Sequence, residues 1–186
     1  ANITGTQLRG VQMALCNYAT QVRGLQIGLV NYYREDLKGF QLGLVNANPD
    51  TKVQMMVYGG NVTPANIGVR FKNQLFYTIL GVGSMYQGLN DKFSASASYR
   101  AGLSFPIYKG LSISGDLGYQ HIETFDNKDE VIPGRLYALQ ARANLEYQLT
   151  KKFGIFATGG YGLTRFYNKS GNYDKGAIIE AGIVLF

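Results

Sequence analysis

The sequence predicts an all-β protein, an antiparallel transmembrane β-barrel, and three observations lead to that prediction. Apolar residues make up 46% of the 186 residues, yet no stretch approaches the roughly 18 apolar residues that a membrane-spanning helix needs. The 24 Gly, 14 Tyr and 10 Phe, with only 4 Pro, favour many strands joined by tight turns. Apolar and polar side chains also alternate along several segments, which is the period of a strand with two different environments.

The alternation is clearest from Tyr137 to Leu149, where every second residue is apolar and the residues between are Ala, Gln, Arg, Asn, Glu and Gln. Tyr137 and Tyr147 share the apolar side and are 10 residues apart. In a tilted strand this is about one hydrocarbon thickness, so the spacing predicts two interfacial aromatic girdles. A soluble β-sandwich has no need of such a pair. The predicted girdle residues are Tyr99, Tyr119, Tyr137, Tyr147, Phe153 and Tyr161.

An internal repeat fills the N-terminal quarter, with copies that begin at Arg9, Arg23 and Lys38, spaced by 14 and 15 residues. After the basic residue, each copy has the order Gly, apolar, Gln, apolar, small, Leu, and then a position that holds either Val or Cys; Asn ends the copy. Residues 5–8 form a partial further copy. The spacing is too short for a repeat of helical hairpins and matches one strand plus one turn.

Cys16 is the single cysteine, so an intramolecular disulfide is excluded. It occupies the position that Val30 and Val45 hold in the other copies, which predicts a small apolar filler and not a reactive thiol. The chain does not open on a charged and then apolar signal peptide, so for an exported barrel we expect the mature form.

We count eleven candidate strands, separated by short turns that alternate with longer polar links, as in outer-membrane barrels. They are 5–18, 22–33, 37–47, 51–60, 65–72, 75–87, 93–105, 110–125, 134–149, 152–167 and 175–186. Because single-chain bacterial barrels close with an even number, we favour one barrel of about twelve strands over residues 1–186. Its wall would combine the repeat strands at 5–47 with the longer strands at 51–186. Alternatively, residues 51–186 alone form eight strands and the repeats form a separate layer or plug.

Two features resemble known barrels. Phe186, at the end of an apolar strand, resembles the terminal aromatic insertion signal of bacterial outer-membrane barrels. Counting back in twos from Phe186 places Glu180 on the same face, so either Glu180 meets lipid near the rim or the last strand changes phase. The Gly-Φ-Gln-Φ-Gly-Leu-Val-Asn copies, where Φ is apolar, resemble the surface-repeat barrels of Bacteroides-type and spirochaete outer membranes. This resemblance implies a multi-pass protein of the bacterial outer membrane and carries over no functional residue.

The polar side of the alternation predicts a lumen that contains charges of both signs. Small residues between them leave room for either a narrow aqueous path or an occluded hydrogen-bonded network. The predicted lumen-facing residues are Gln26, Gln41, Arg100, Asp116, Gln140, Arg142, Asn144 and Glu146. The net charge of +6 comes mostly from single basic residues near strand ends. We therefore expect contact with outer-membrane lipid or lipopolysaccharide, and not with nucleic acid.

The sequence contains no recognisable catalytic, cofactor or metal constellation. His121, the only histidine, falls in strand phase at the rim, without a His-x-Ser arrangement. Asp126, Asp129 and Glu130 could hold Ca²⁺ loosely, but we interpret them as a solvated loop. We expect a non-enzymatic structural or accessory subunit of an outer-membrane assembly, for which other outer-membrane proteins are candidate partners. A small-solute channel and a lipid-modifying barrel enzyme are the alternatives.

Overall fold

The computed structural model describes residues 1–89, 92–125, 134–168 and 170–186, and every regular element in these ranges is a β-strand. Asp126, Asp129 and Glu130 lie outside the described residues. No helix among the described residues is long and apolar enough to cross a membrane. The strands are β1 (Asn2–Met13), β2 (Cys16–Ile27), β3 (Val30–Leu37), β4 (Phe40–Leu42), β5 (Val45–Ala47), β6 (Lys52–Gly60), β7 (Ala65–Asn73), β8 (Phe76–Ser84), β9 (Ser94–Tyr108), β10 (Leu111–Thr124), β11 (Arg135–Gln148), β12 (Phe153–Phe166) and β13 (Asn172–Leu185).

The eight strands β6 to β13 form a closed antiparallel barrel in which each strand pairs with the next and β13 returns to β6. One end of the barrel, called here the short-turn end, has the connections 74–75, 109–110 and 149–152. The other, the long-loop end, includes the connections 85–93, 125–134 and 167–171. The predicted antiparallel β-barrel is therefore confirmed.

The expected count of about twelve wall strands is wrong, because only eight strands close the barrel. The structure has the alternative arrangement, with the barrel wall between Lys52 and Leu185 and the repeats in a separate layer. The physical reason is the direction of pairing. Neighbouring wall strands pair antiparallel. The repeat strands instead pair in parallel with one another, so their backbone hydrogen bonds are used within the repeats and not in the barrel wall.

The repeats, residues 2–47, form a parallel five-stranded sheet in which each copy stacks on the previous one. Asn17 pairs with Asn31, and Asn31 with Asn46, so the register shifts by one copy per layer. For a strand to pair in parallel with the strand one copy later, the chain must run back to the same end of the sheet within each copy. Each copy is therefore one turn of a flattened coil, called here the repeat coil.

The repeat coil has two corners of opposite character. The polar corner consists of residues 7–10, 21–24 and 35–39, and the apolar corner of residues 13–16, 27–30 and 42–45. Layers approach closely at both: a Cβ on Gly24, whose φ is +152°, would lie 2.0 Å from the Gly10 carbonyl oxygen, and a Cβ on Gly28 would lie 2.2 Å from that of Ala14. Only glycine permits this stacking, which explains why Gly recurs in the copies.

Candidate functional site

The barrel interior gathers the polar residues of the alternating strands into one buried layer. Six of the residues predicted to face the lumen point into it and are buried: Arg100, Asp116, Gln140, Arg142, Asn144 and Glu146. Direct pairing places Asp116 of β10 beside Arg142 of β11, and Ser114 beside Asn144. The alternation in these strands therefore separates a polar interior from an apolar exterior.

Two ion pairs span the interior from opposite walls. In the ring of eight strands, β7 lies four positions from β11, and β9 four positions from β13. Arg70 of β7 contacts Glu146 of β11 with both terminal nitrogens, at 2.6 and 3.0 Å. Arg100 of β9 reaches Glu180 of β13, with 3.4 Å between Nη1 and Oε2. These two contacts place charged side chains across the full width of the barrel interior.

Further ion pairs connect nearer strands. Arg100 donates to both carboxylate oxygens of Asp116 at 2.8 Å, and the Tyr77 hydroxyl donates to the same carboxylate at 2.8 Å. Arg142 donates to Glu180 at 3.2 and 3.1 Å. Three guanidinium groups thus face three carboxylates, and this buried cluster is neutral as a whole. A buried charge needs such a partner and further hydrogen bonds to offset its lost hydration.

Sequence reasoning missed two members of this cluster, Arg70 and Glu180. In the last strand, the Glu180 and Val184 side chains both point into the barrel. Phe186, two residues farther on, packs against the apolar cluster that contains Val184. The signal was present in the sequence: the outward residues Ile179, Ala181, Ile183 and Leu185 are all apolar and alternate with Glu180. Glu180 and Phe186 do share a face, as the count in twos predicts, but that face is the barrel interior and not the lipid side.

Apolar side chains pack beside the charged layer and beyond it. One cluster surrounds the Arg70–Glu146 pair, with Ile79 directly paired to Arg70 and Phe156 to Glu146; its members are Met56, Tyr58, Tyr77, Ile79, Phe156 and Val184. Toward the long-loop end lie Tyr86, Leu89, Ile122, Leu136 and Ala138. The cavity recorded between Arg70, Arg100 and Glu146 is about 10 Å³, close to the space of one water molecule. A larger cavity of about 310 Å³ lies at the long-loop end beside Gln140 and Thr164.

Gln26 and Gln41 are not in the barrel lumen, which corrects their predicted position. Both are buried inside the repeat coil, where Gln41 donates to Gln26 at 2.7 Å and Gln26 donates to Gln12 at 2.8 Å. A second ladder runs beside it through the Asn that ends each copy. The coil has an interior of its own because its layers stack in register, and identical amides then meet at hydrogen-bond distance.

The predicted girdle residues all lie on the outer face of the barrel. Tyr147 and Phe153 are near the short-turn end, while Tyr119 and Tyr137 stack near the long-loop end with ring centroids 6.2 Å apart. Tyr161 is exposed on β12. Tyr99 differs from the others: its hydroxyl donates to the Gly43 carbonyl at 2.8 Å, so it contacts the repeat coil.

His121 also lies on the outer face, in a small polar cluster near the long-loop end. Its Nδ1 is 2.8 Å from the Tyr167 hydroxyl and its Nε2 is 3.2 Å from Glu123, which also contacts Arg135. The Tyr167 hydroxyl bonds that of Tyr119. Loss of hydration and this hydrogen bond raise the pKa of Tyr167 to about 12, so its phenol stays protonated at neutral pH.

Within the described ranges, no group of three or more His, Cys, Asp or Glu side chains is arranged to hold a metal ion.

Comparison with known proteins gives no match to a family model and no match among curated proteins. Among solved structures, the chain is similar to the crystal structure of Neisserial surface protein A (NspA), at a TM-score of 0.41 and 8% sequence identity. The match covers 72% of this chain and 92% of that one.

Proposed function

We propose that the protein is a non-enzymatic, multi-pass barrel of the bacterial outer membrane that serves as a structural or accessory subunit of an outer-membrane assembly. The observation that supports this most directly is the combination of an apolar outer wall with a buried interior that ion pairs cross from wall to wall. The repeat copies add to it through their resemblance to surface-repeat barrels of Bacteroides-type and spirochaete outer membranes.

Membrane placement is supported by the exterior of the barrel. Leu117 is 71% exposed and Ile179 is 66% exposed, and both lie in the middle of long wall strands. A soluble protein seldom leaves a continuous apolar belt open to water. A polar interior with an apolar exterior is the arrangement of membrane barrels, and strands of about 9–11 residues already suffice to cross.

Outer-membrane lipid or lipopolysaccharide is the proposed partner of the long-loop rim. Three neighbouring strands, β11, β12 and β13, each have a basic residue at an outward-facing position near this rim. These residues are Arg135, Arg165 and Lys175. Arg165 pairs directly with Tyr137, and Lys175 with Leu163, so the cations sit beside aromatic and apolar residues. Cations at this level suit the anionic groups of a lipid head group.

The two alternative functions receive less support. The filled interior disfavours a small-solute channel. The His121 cluster disfavours a lipid-modifying enzyme, since its hydroxyl partner is a phenol with a raised pKa and not an activated nucleophile.

Planar-bilayer recording of the purified protein tests the closed interior. We expect no conductance steps from the unaltered chain. The matched variant Arg70→Ala with Glu146→Ala removes one cross-barrel pair and should admit water and small ions, which shows that the assay can detect an opening. Conductance by the unaltered chain would contradict the structural role.

Native electrophoresis of gently solubilised outer membranes tests the accessory role. We expect the protein to migrate in a particle larger than the lone 20.5 kDa chain. Migration as a single chain, with no partner after mild crosslinking, would rule out a stable assembly.

A further inference from the structure

We propose that the repeat coil is itself embedded in the membrane. Its apolar corner occupies the acyl-chain region of the leaflet at the short-turn end, and its polar corner faces the water on that side. The inference rests on the proposed membrane placement of the barrel, and its occupant is lipid hydrocarbon.

The coil is docked on the outer wall of the barrel. Thr78 lies on the outward phase of β8, between the inward residues Tyr77 and Ile79, yet it is only 1% exposed. Its hydroxyl donates to the Leu44 carbonyl at 2.8 Å, and the Tyr99 hydroxyl donates to the neighbouring carbonyl of Gly43 at 2.8 Å. The last turn of the coil therefore lies against the surface that faces lipid elsewhere on the barrel.

The two corners of the coil point in different directions along the barrel. On the polar side, Glu35 and Asp36 line one cavity of about 320 Å³ with Gln74, which lies in a tight turn at the short-turn end. The apolar corner instead contacts Thr78, about 13 Å farther along the wall at about 3.3 Å per strand residue. The coil is therefore oriented with charge outward and apolar groups toward the middle of the barrel.

The apolar corner carries the same kind of residue in every layer. Leu15 is 70% exposed, and Leu29 and Leu44 repeat the position in the next two layers. Met13, Ile27 and Leu42 form a second row beside them. These rows extend sideways from the barrel as a continuation of its apolar belt. The matching positions of the polar corner hold Arg9, Arg23 and Lys38.

Turns exposed to hydrocarbon must satisfy their backbone groups within the protein. At the apolar corner, several of these groups are satisfied by the Asn ladder and by bonds between layers. Asn17 donates to the Ile27 carbonyl at 2.7 Å, and Asn46 donates to that of Gly43 at 3.0 Å. The Gly28 amide donates to the Leu42 carbonyl at 3.1 Å. This requirement gives the Asn of each copy a physical role.

Site-directed nitroxide labelling of the full chain in palmitoyl-oleoyl phosphatidylcholine vesicles tests the inference. In a Cys16→Ser background, one label is placed by Leu29→Cys at the apolar corner and a matched one by Arg23→Cys at the polar corner of the same coil turn. Leu117→Cys, on the barrel belt, reports insertion. Collision rates with oxygen, which concentrates in lipid, and with a water-soluble nickel chelate are then compared.

We expect the oxygen-to-nickel collision ratio at Leu29 to match that at Leu117 and to exceed that at Arg23 several-fold. If Leu29→Cys perturbs the coil, the native Cys16, exposed at the same corner, takes the label in the unaltered sequence. A lipid-like Leu117 with a water-like Leu29 would overturn the inference and leave the membrane barrel standing. A Leu29 label that neither reagent reaches would show a protein contact and overturn it as well. A water-like Leu117 would overturn the membrane placement itself.

Discussion

At the scale of single residues, the ion pair between Arg70 and Glu146 has the clearest energetic consequence. Both side chains are buried, and each lies on a wall opposite the other. The substitution Glu146→Ala leaves the Arg70 guanidinium buried without a carboxylate partner among the described residues, with a hydrogen bond to Gln54 and the Tyr77 ring 5.9 Å away. We expect it to lower the free energy of unfolding by about 3–5 kcal/mol, measured by urea unfolding of the refolded protein in detergent micelles.

The exposed pair of Glu123 and Arg135 supplies the matched control for this prediction. Its members are joined at 3.0 Å but lie near the long-loop rim, so solvent screens them and Glu123→Ala should change stability little. Replacement of both buried partners, Arg70→Met with Glu146→Met, should recover most of the loss, because no charge is then left unpaired. Equal effects of Glu146→Ala and Glu123→Ala would contradict the importance of the cross-barrel pair.

At the scale of the element, the repeat coil depends on glycine at its corners. A Cβ on Gly24 would meet the Gly10 backbone, so Gly24→Ala must separate two layers at a cost on the order of 1–3 kcal/mol. We expect faster amide hydrogen exchange in β1 and β2 with unchanged exchange in the barrel. Gly5→Ala is the control, since nothing lies within 4 Å of its added Cβ. Equal exchange in both variants would show that the layers do not stack this closely.

The same element shows where sequence reasoning reaches its limit. The Gln of each copy was correctly separated from the large apolar residues, because alternation within a strand is a local property. Whether Gln26 and Gln41 face the barrel lumen or the interior of the repeat coil depends on which strands pair. A strand followed by a two-residue turn is compatible with an antiparallel barrel wall and with a layer of a coil. Parallel pairing of Asn17 with Asn31 is a contact between turns, and the alternation within one copy does not specify it.

At the scale of the whole molecule, the long strands were easier to predict than the architecture. The strands over 93–105, 110–125 and 134–149 have a marked alternation, and their residues Arg100, Asp116 and Arg142 meet in one buried layer. Arg70 was missed because its strand β7, Ala65–Asn73, is short and interrupted by glycine. The partners Arg70 and Glu146 are 76 residues apart, and only barrel closure places them opposite each other.

The ring of eight strands closes through β13 and β6 without any strand of the repeat coil. The barrel should therefore fold when residues 1–47 are deleted. We expect the shortened chain to keep the shifted electrophoretic mobility of a folded barrel before boiling and to lose it on heating. Its stability should fall modestly, because Thr78 and Tyr99 lose their carbonyl partners and the Phe40–Phe76 contact disappears. Failure of the shortened chain to fold, under conditions in which the full chain folds, would show that the coil is needed to nucleate the barrel and is not an attachment to its outer wall.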